Sequence, residues 1–248
     1  MPFFLEPLLN LQMNYHPTIT IPANFVHPCV HATDACLKTA IQEALPGFVR
    51  GVPDLGIESI VPYTVDKLSL TLPGGLKVTF THGVAKGWDG CVVRDAKLMN
   101  HTIKFEVRCT LTVTGKYVST GKILIFPING GGDSYIKCNN LDMTITLQLA
   151  PVLRDGLQYL KLQRHSTTHR YSGQVVYHMT NLVQNSPFIS EYMLNGSNLV
   201  LKFMNKHWRL VAEKFGDPVV AVGARIVMKN IEQLFNTVPM LELIRLTF

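Results

Sequence analysis

Thr102-Ile103-Lys104-Phe105-Glu106-Val107-Arg108-Cys109-Thr110-Leu111-Thr112-Val113-Thr114 alternates without a break. Ile103, Phe105, Val107, Cys109, Leu111 and Val113 fall on one side. Lys104, Glu106, Arg108 and the four threonines of the even positions fall on the other. Successive side chains of a strand point to opposite faces. This stretch is therefore a strand with one dry face and one wet face. A sheet that is dry on one face has to cover it with other elements.

The same pattern recurs outward from this strand. Leu76, Val78, Phe80, His82 and Val84 alternate with Lys77, Thr79, Thr81 and Gly83. Residues 122–128 read as a further strand, closed by a turn at Gly130-Gly131-Gly132. Leu141, Met143, Ile145, Leu147 and Leu149 alternate again, and Tyr171, Val175, Tyr177 and Met179 end the β region. Neighbouring strands joined by short turns predict an antiparallel meander.

The cover comes from helices at the two ends. Thr33-Asp34 caps a helix from residue 35 to about residue 49, with Leu37, Ala40, Ile41, Ala44, Leu45 and Phe48 on one face. Pro46 predicts a kink or a stop there, since it removes a backbone donor and crowds the preceding turn. Ser197 caps a second helix that runs to about residue 215 and presents Val200, Met204, Trp208, Val211 and Phe215 on one side. Gly216-Asp217-Pro218 stops that helix and starts the next. From Pro218 to about Val238 the chain is helical, and Val219, Val220, Ala221, Val222, Ala224, Ile226, Val227 and Met228 make its first half apolar on nearly every side. A helix apolar all round is expected to be buried. The fold class is α+β: a long C-terminal helix wrapped by a highly curved antiparallel β-sheet, plus a short N-terminal helix. Residues 1–25 are set apart as an N-terminal segment in which residues 3–11 resemble the apolar stretch of a signal peptide. Residues 26–248 form one elongated domain.

Composition narrows the function. Hydrophobic residues are 47% of the 248 and charged residues only 16%. An apolar excess of that size needs a large core or an internal cavity. The net charge of +6 is scattered. Its densest cluster, Lys161, Arg164, His165, His169 and Arg170, reads as a solvated face, and nucleic acid is not an expected partner. No uninterrupted apolar run reaches about eighteen residues, so no stable membrane insertion is expected.

Catalytic signatures are missing. There is no Gly-x-Ser-x-Gly elbow and no phosphate-cradling glycine loop. His165 and His169 lie on a strand, ~13 Å apart, too far to share a metal. His27, Cys29, His31 and Cys36 offer a zinc reading, but His-x-Cys-x-His is not a usual zinc spacing. A Cys29–Cys36 disulfide is favoured, worth about 2.5 kcal/mol by chain entropy. No catalytic residue, metal or cofactor is expected. Cys91 and Cys109 are equally distant from Asn100, so a turn there would set them face to face. The fifth cysteine is Cys138. Sequons stand at Asn100-His101-Thr102 and Asn195-Gly196-Ser197.

Three stretches resemble the insect haemolymph juvenile-hormone-binding and takeout family. The first is Cys29 to Cys36, then Leu37-Lys38-x-Ala40-Ile41-Gln42-x-Ala44-Leu45-Pro46 and Gly51-Val52-Pro53-x-Leu55-Gly56-Ile57. The second is Gly115-Lys116-Tyr117, Gly121-Lys122-Ile123-Leu124 and Pro127-Ile128-x-Gly130. The third runs from Asn195-Gly196 to Trp208 and on to Pro239-x-x-Glu242-Leu243. Cys91, Cys109 and Cys138 are outside that pattern. The resemblance implies a secreted, extracellular lipid carrier of the tubular lipid-binding fold, holding its ligand in a tunnel between helix and sheet. It also implies the N-terminal Cys29–Cys36 disulfide, and a juvenile hormone, another terpenoid, a fatty-acid-like chain or a quinone as ligand.

The expected protein is thus a monomeric, non-enzymatic carrier whose partner is one small hydrophobic ligand. The alternative is a membrane-surface lipid-transfer or lipid-sensing protein. Ligand-lining candidates are the inward aromatics and methionines Phe48, Phe80, Phe105, Phe126, Met143, Tyr177, Trp208, Phe215 and Phe235, with a Tyr hydroxyl or a His to orient a polar end. The cavity is expected to hold on the order of several hundred Å³.

Overall fold

The computed structural model describes Cys29, residues 33–183 and residues 196–243. The segment 1–25, His27, His31 and Asn195 lie outside the described residues.

Helix α1 spans Asp34–Arg50. Thr33 caps it, its hydroxyl accepting from the Cys36 amide at 3.2 Å, and a disulfide ties Cys36 to Cys29. The helix continues through Pro46 and ends at Gly51, whose φ is 88°. The expected stop does not occur because the last turn is held by packing: Val49 is buried and Phe48 lies against the core.

Seven strands follow: β1 (Tyr63–Leu72), β2 (Leu76–Lys86), β3 (Val92–Met99), β4 (Thr102–Ile123), β5 (Phe126–Arg154), β6 (Leu157–Tyr171) and β7 (Val175–Met179). They form one antiparallel sheet in the order β1-β2-β4-β5-β6. β3 shares the β2 side of β4, and β7 shares the β6 side of β5. β4 and β5 are 22 and 29 residues long and pair along nearly their whole length.

Bulges shift the phase of alternation and bend and twist the ribbon. In β2 the register shifts between Thr81 and Val84. His82, expected inward, adopts φ 52° and is exposed, and Gly83 turns in instead. In β5 an extra residue near Asn140 (φ 50°) reverses the alternation. Leu141, Met143, Ile145 and Leu147 face inward on one side of it, and Ser134 and Ile128 on the other.

Two sequence expectations change here. Gly130-Gly131-Gly132 is not a turn. It lies within β5, opposite Ser119, Val118 and Tyr117, and the turn falls at Leu124-Ile125. The glycines serve a close crossing: a Cβ on Gly130 would collide with the Asn181 carbonyl, and one on Gly132 with the Thr180 hydroxyl. The second helix is also not continuous. It divides into α2 (Gly196–Lys206) and α3 (Trp208–Phe215) at His207. Asn205 accounts for the break. Its side chain bonds both the amide and the carbonyl of Tyr177, and also donates to the Leu201 carbonyl one turn back. Ser197 sits inside α2 and bonds Val183 rather than capping.

Helix α4 (Asp217–Thr237) and a short turn α5 (Met240–Leu243) complete the inner face. The first half of α4 is not buried as its composition predicts: residues 218–227 are half-buried, apart from exposed Ala221 and Arg225. Burial begins at Met228 and continues through Asn230, Ile231 and Phe235. α4 lies over β6, while α1 lies over β3. Two helices thus share the concave face where one was expected to fill it.

Candidate ligand cavity

Each wall is held by polar anchors at its rim. Gln42 of α1 reaches the free edge of β3, accepting from the Val93 amide at 2.7 Å and donating to the Cys91 carbonyl at 3.4 Å. Asp34 accepts from the Leu98 amide. On the other side, the buried Asn230 of α4 donates to the Glu58 carbonyl at 2.7 Å and accepts from its amide. Gln233 donates to the Leu55 carbonyl, and Lys229 pairs with Glu58 at 2.8 Å. The helices are fixed to the sheet and to the 51–60 loop, and a space of about 190 Å³ lies between them.

The floor is the dry face read from the sequence. Ile103, Phe105 and Val107 of β4 stand directly opposite Leu147, Ile145 and Met143 of β5. The α1 wall comprises Leu37, Ala40, Ile41, Ala44, Leu45 and Phe48, spaced three and four apart on one helical face. The α4 wall comprises Ala224, Val227, Met228, Ile231, Leu234 and Phe235. Trp88, which lies close to Gly223, the Cys91–Cys109 disulfide and Leu243 of α5 complete the lining. Thr167 of β6 is the only lining residue among those described that is not apolar. No ionisable side chain lines the space, and no group of three or more His, Cys, Asp or Glu able to hold a metal occurs among the described residues.

The lining candidates divide. Phe48, Phe105, Met143 and Phe235 line the cavity; Phe80, Phe126, Tyr177, Trp208 and Phe215 do not. Phe126 stacks edge-on against Phe203 with centroids 4.9 Å apart. Tyr177 and Phe215 are buried, and Phe80 and Trp208 pack partly buried against the core. Among the described residues no tyrosine lines the cavity either. Tyr117 donates to the Thr180 carbonyl at 2.7 Å, and burial pushes its hydroxyl up to about 12. Burial raises Tyr171 and Tyr177 further, and pushes the free Cys138 thiol up to about 11. Lining residues outside that candidate set include Leu37, Ile41, Trp88 and Thr167 and also the small Ala40 and Ala44 of α1. The signal of the last two was present: alanines four apart on the inner face of α1 leave room where larger residues would fill it.

The cavity is smaller than the several hundred Å³ expected.

Comparison with known proteins gives one consistent answer. A sequence profile described as haemolymph juvenile hormone binding protein matches residues 8–245. The circadian clock-controlled protein daywake of Drosophila melanogaster is 22% identical over 225 residues, covering 85% of this chain and 84% of that protein. Its Drosophila yakuba counterpart matches to the same extent. Takeout 1 of Epiphyas postvittana, a crystal structure, superposes with a TM-score of 0.80 at 29% identity, over 89% of this chain and all of that one.

Proposed function

The chain belongs to the haemolymph juvenile hormone binding protein family, a family of binding proteins, and on that footing we propose that it is an extracellular carrier of one small hydrophobic ligand. The observation that carries this reading is the space between α1, α4 and the sheet, whose walls are apolar at every described residue but Thr167. Such a space offers transfer free energy and no reacting group. An apolar ligand burying on the order of 400 Å² would gain roughly 10 kcal/mol before association costs, leaving micromolar to nanomolar affinity. A terpenoid or fatty-acid-like chain fits these walls. The two disulfides suit an oxidising, extracellular setting.

The test is occupancy. Protein purified from its own tissue, examined by native mass spectrometry, is expected to carry an apolar small molecule. Ala224→Trp should abolish uptake of a fluorescent apolar probe while the thermal transition stays cooperative. Retention of full uptake by a folded Ala224→Trp protein would refute this site.

A second reading, transfer at a membrane surface, is favoured by a group of exposed leucines. Leu153 and Leu157 flank the β5–β6 turn, which bonds α4 through Arg154 and the Asn236 carbonyl, and Leu241 is exposed on the nearby α5. Salt-sensitive sedimentation with anionic liposomes supports that reading, and no sedimentation at low salt removes it.

A further inference from the structure

The cavity wall changes character along one line. Across β4 and β5 every floor rung joins apolar to apolar: Ile103 to Leu147, Phe105 to Ile145, Val107 to Met143. Across β5 and β6 each of the same residues meets a polar one: Leu147 faces His165, Ile145 faces Thr167, and Met143 faces His169. The β6 residues beside the apolar floor are therefore polar, and of these three only Thr167 lines the cavity.

Only the middle residue of the three is free to serve a ligand. His169 is engaged: its Nε2 lies 3.3 Å from Asp217 at the start of α4, and its ring meets Tyr171 edge-on. His165 is exposed and does not line the cavity. Thr167 lines it, is half-buried, and its hydroxyl has no hydrogen-bond partner among the described residues. A hydroxyl donates one hydrogen bond and carries no charge. Lysine and arginine are absent from the described lining, so nothing there compensates a buried anion.

We propose that Thr167 is the specificity-determining residue of the cavity: its hydroxyl donates to a neutral acceptor oxygen, a carbonyl or ether, at one end of an otherwise apolar ligand. The oxygen-bearing end sits at β6, and the apolar remainder lies along Phe105, Ile145 and the alanines of α1. A neutral oxygenated ligand is selected over a pure hydrocarbon by the hydrogen bond, and over a carboxylate by the lack of a counter-charge. This rests on the carrier reading, since it assigns the polarity and direction of what that cavity holds.

The probes are tridecan-2-one, tridecane and tridecanoate, each competing with a fluorescent apolar dye on wild-type protein, Thr167→Val and Thr167→Ser. Valine keeps the shape of threonine and deletes only the hydroxyl. The ketone is expected to bind Thr167→Val about three- to tenfold more weakly, the fold-change of one net hydrogen bond. Tridecane should bind it equally or better, Thr167→Ser should restore the ketone, and tridecanoate should bind wild type more weakly than the ketone. Ketone binding unchanged in Thr167→Val, or ketone and hydrocarbon weakened alike, overturns the proposal and leaves the carrier standing. Failure of wild-type protein to bind both the ketone and tridecane overturns the carrier reading as well.

Discussion

Asp142 shows how a single position can bear on the whole sheet. It lies on β5, opposite Arg108 of β4 and Arg170 of β6, on the face away from the cavity. Its carboxylate is 3% exposed and accepts from both nitrogens of a bidentate Arg108, from Arg170 and from the Ser172 hydroxyl. The Arg108 guanidinium holds the Asp142 carboxyl well below the usual carboxylate range, helped by Ser172 and Arg170. A group with a depressed folded value contributes stability above its unfolded value of about 4, and that contribution is lost as pH falls toward the folded value. Asp142→Asn should therefore cost about 2 kcal/mol near neutral pH, because hydrogen bonds to a charged group are lost while the arginines stay hydrated. The difference between the two proteins should shrink on acidification below about pH 4. Urea unfolding at several pH values measures it, and a gap that widened with acid would contradict the assignment. At this scale the sequence was legible in its polarity and illegible in its size. Alternation placed Ile103, Phe105 and Val107 on the dry face, where they are. Of the lining candidates, Phe48, Phe105, Met143 and Phe235 border the cavity, whereas others such as Tyr177 and Phe126 pack elsewhere in the core, and Ala40, Ala44 and Ala224 leave room.

Elements depend on where alternation is interrupted. From the β3–β4 turn, Met99 pairs with Thr102 and Ala96 with Phe105. Continued without a break, that register would turn Arg94 and Val92 inward and Cys91 outward. A bulge at Arg94 inserts one residue, so that Val93 and Cys91 face inward instead and both are buried. The Cys91–Cys109 disulfide, with Cα atoms 4.4 Å apart, depends on this shift. Equal spacing about Asn100 named the right pair, but the turn is centred on Asn100-His101, and the bulge at Arg94 supplies the one-residue offset. Asn100 sits at an exposed hairpin tip with its sequon. The bulge was not readable: no glycine or proline marks it, and only the cost of burying Arg94 explains it. Replacing both cysteines by serine should lower stability by about 3 kcal/mol, the chain-entropy value for a loop of this separation. It should also weaken apolar probe binding, since the disulfide forms part of the cavity wall. Denaturation and probe titration on the same samples test both. A stability loss with unchanged affinity would remove the disulfide from the binding surface.

For the whole molecule, the resemblance to takeout-type carriers gave the arrangement of helices on a curved sheet, but composition misjudged how tightly the parts close. An all-round apolar helix was expected to be buried, yet the first half of α4 is half-exposed and the inner face of α1 is only half-covered. Those surfaces border the cavity, which implies that the empty protein leaves apolar area uncovered on both helices. A ligand would complete the burial. At a hundred times its dissociation constant a ligand stabilises the state it binds by about 2.7 kcal/mol. Because α1 holds to the sheet through Gln42 and Asp34, and α4 holds to the 51–60 loop through Asn230 and Gln233, local opening of these helices costs less than global unfolding. The added protection should therefore be uneven. In hydrogen-exchange mass spectrometry, saturation with an apolar ligand should slow exchange in peptides from α1 and α4. The β1–β2 hairpin, which lines no part of the cavity, should exchange at an unchanged rate under conditions where only local opening is sampled. Equal slowing across the sheet would mean that the ligand acts on global stability alone, and that the two helices are not the movable walls of the site.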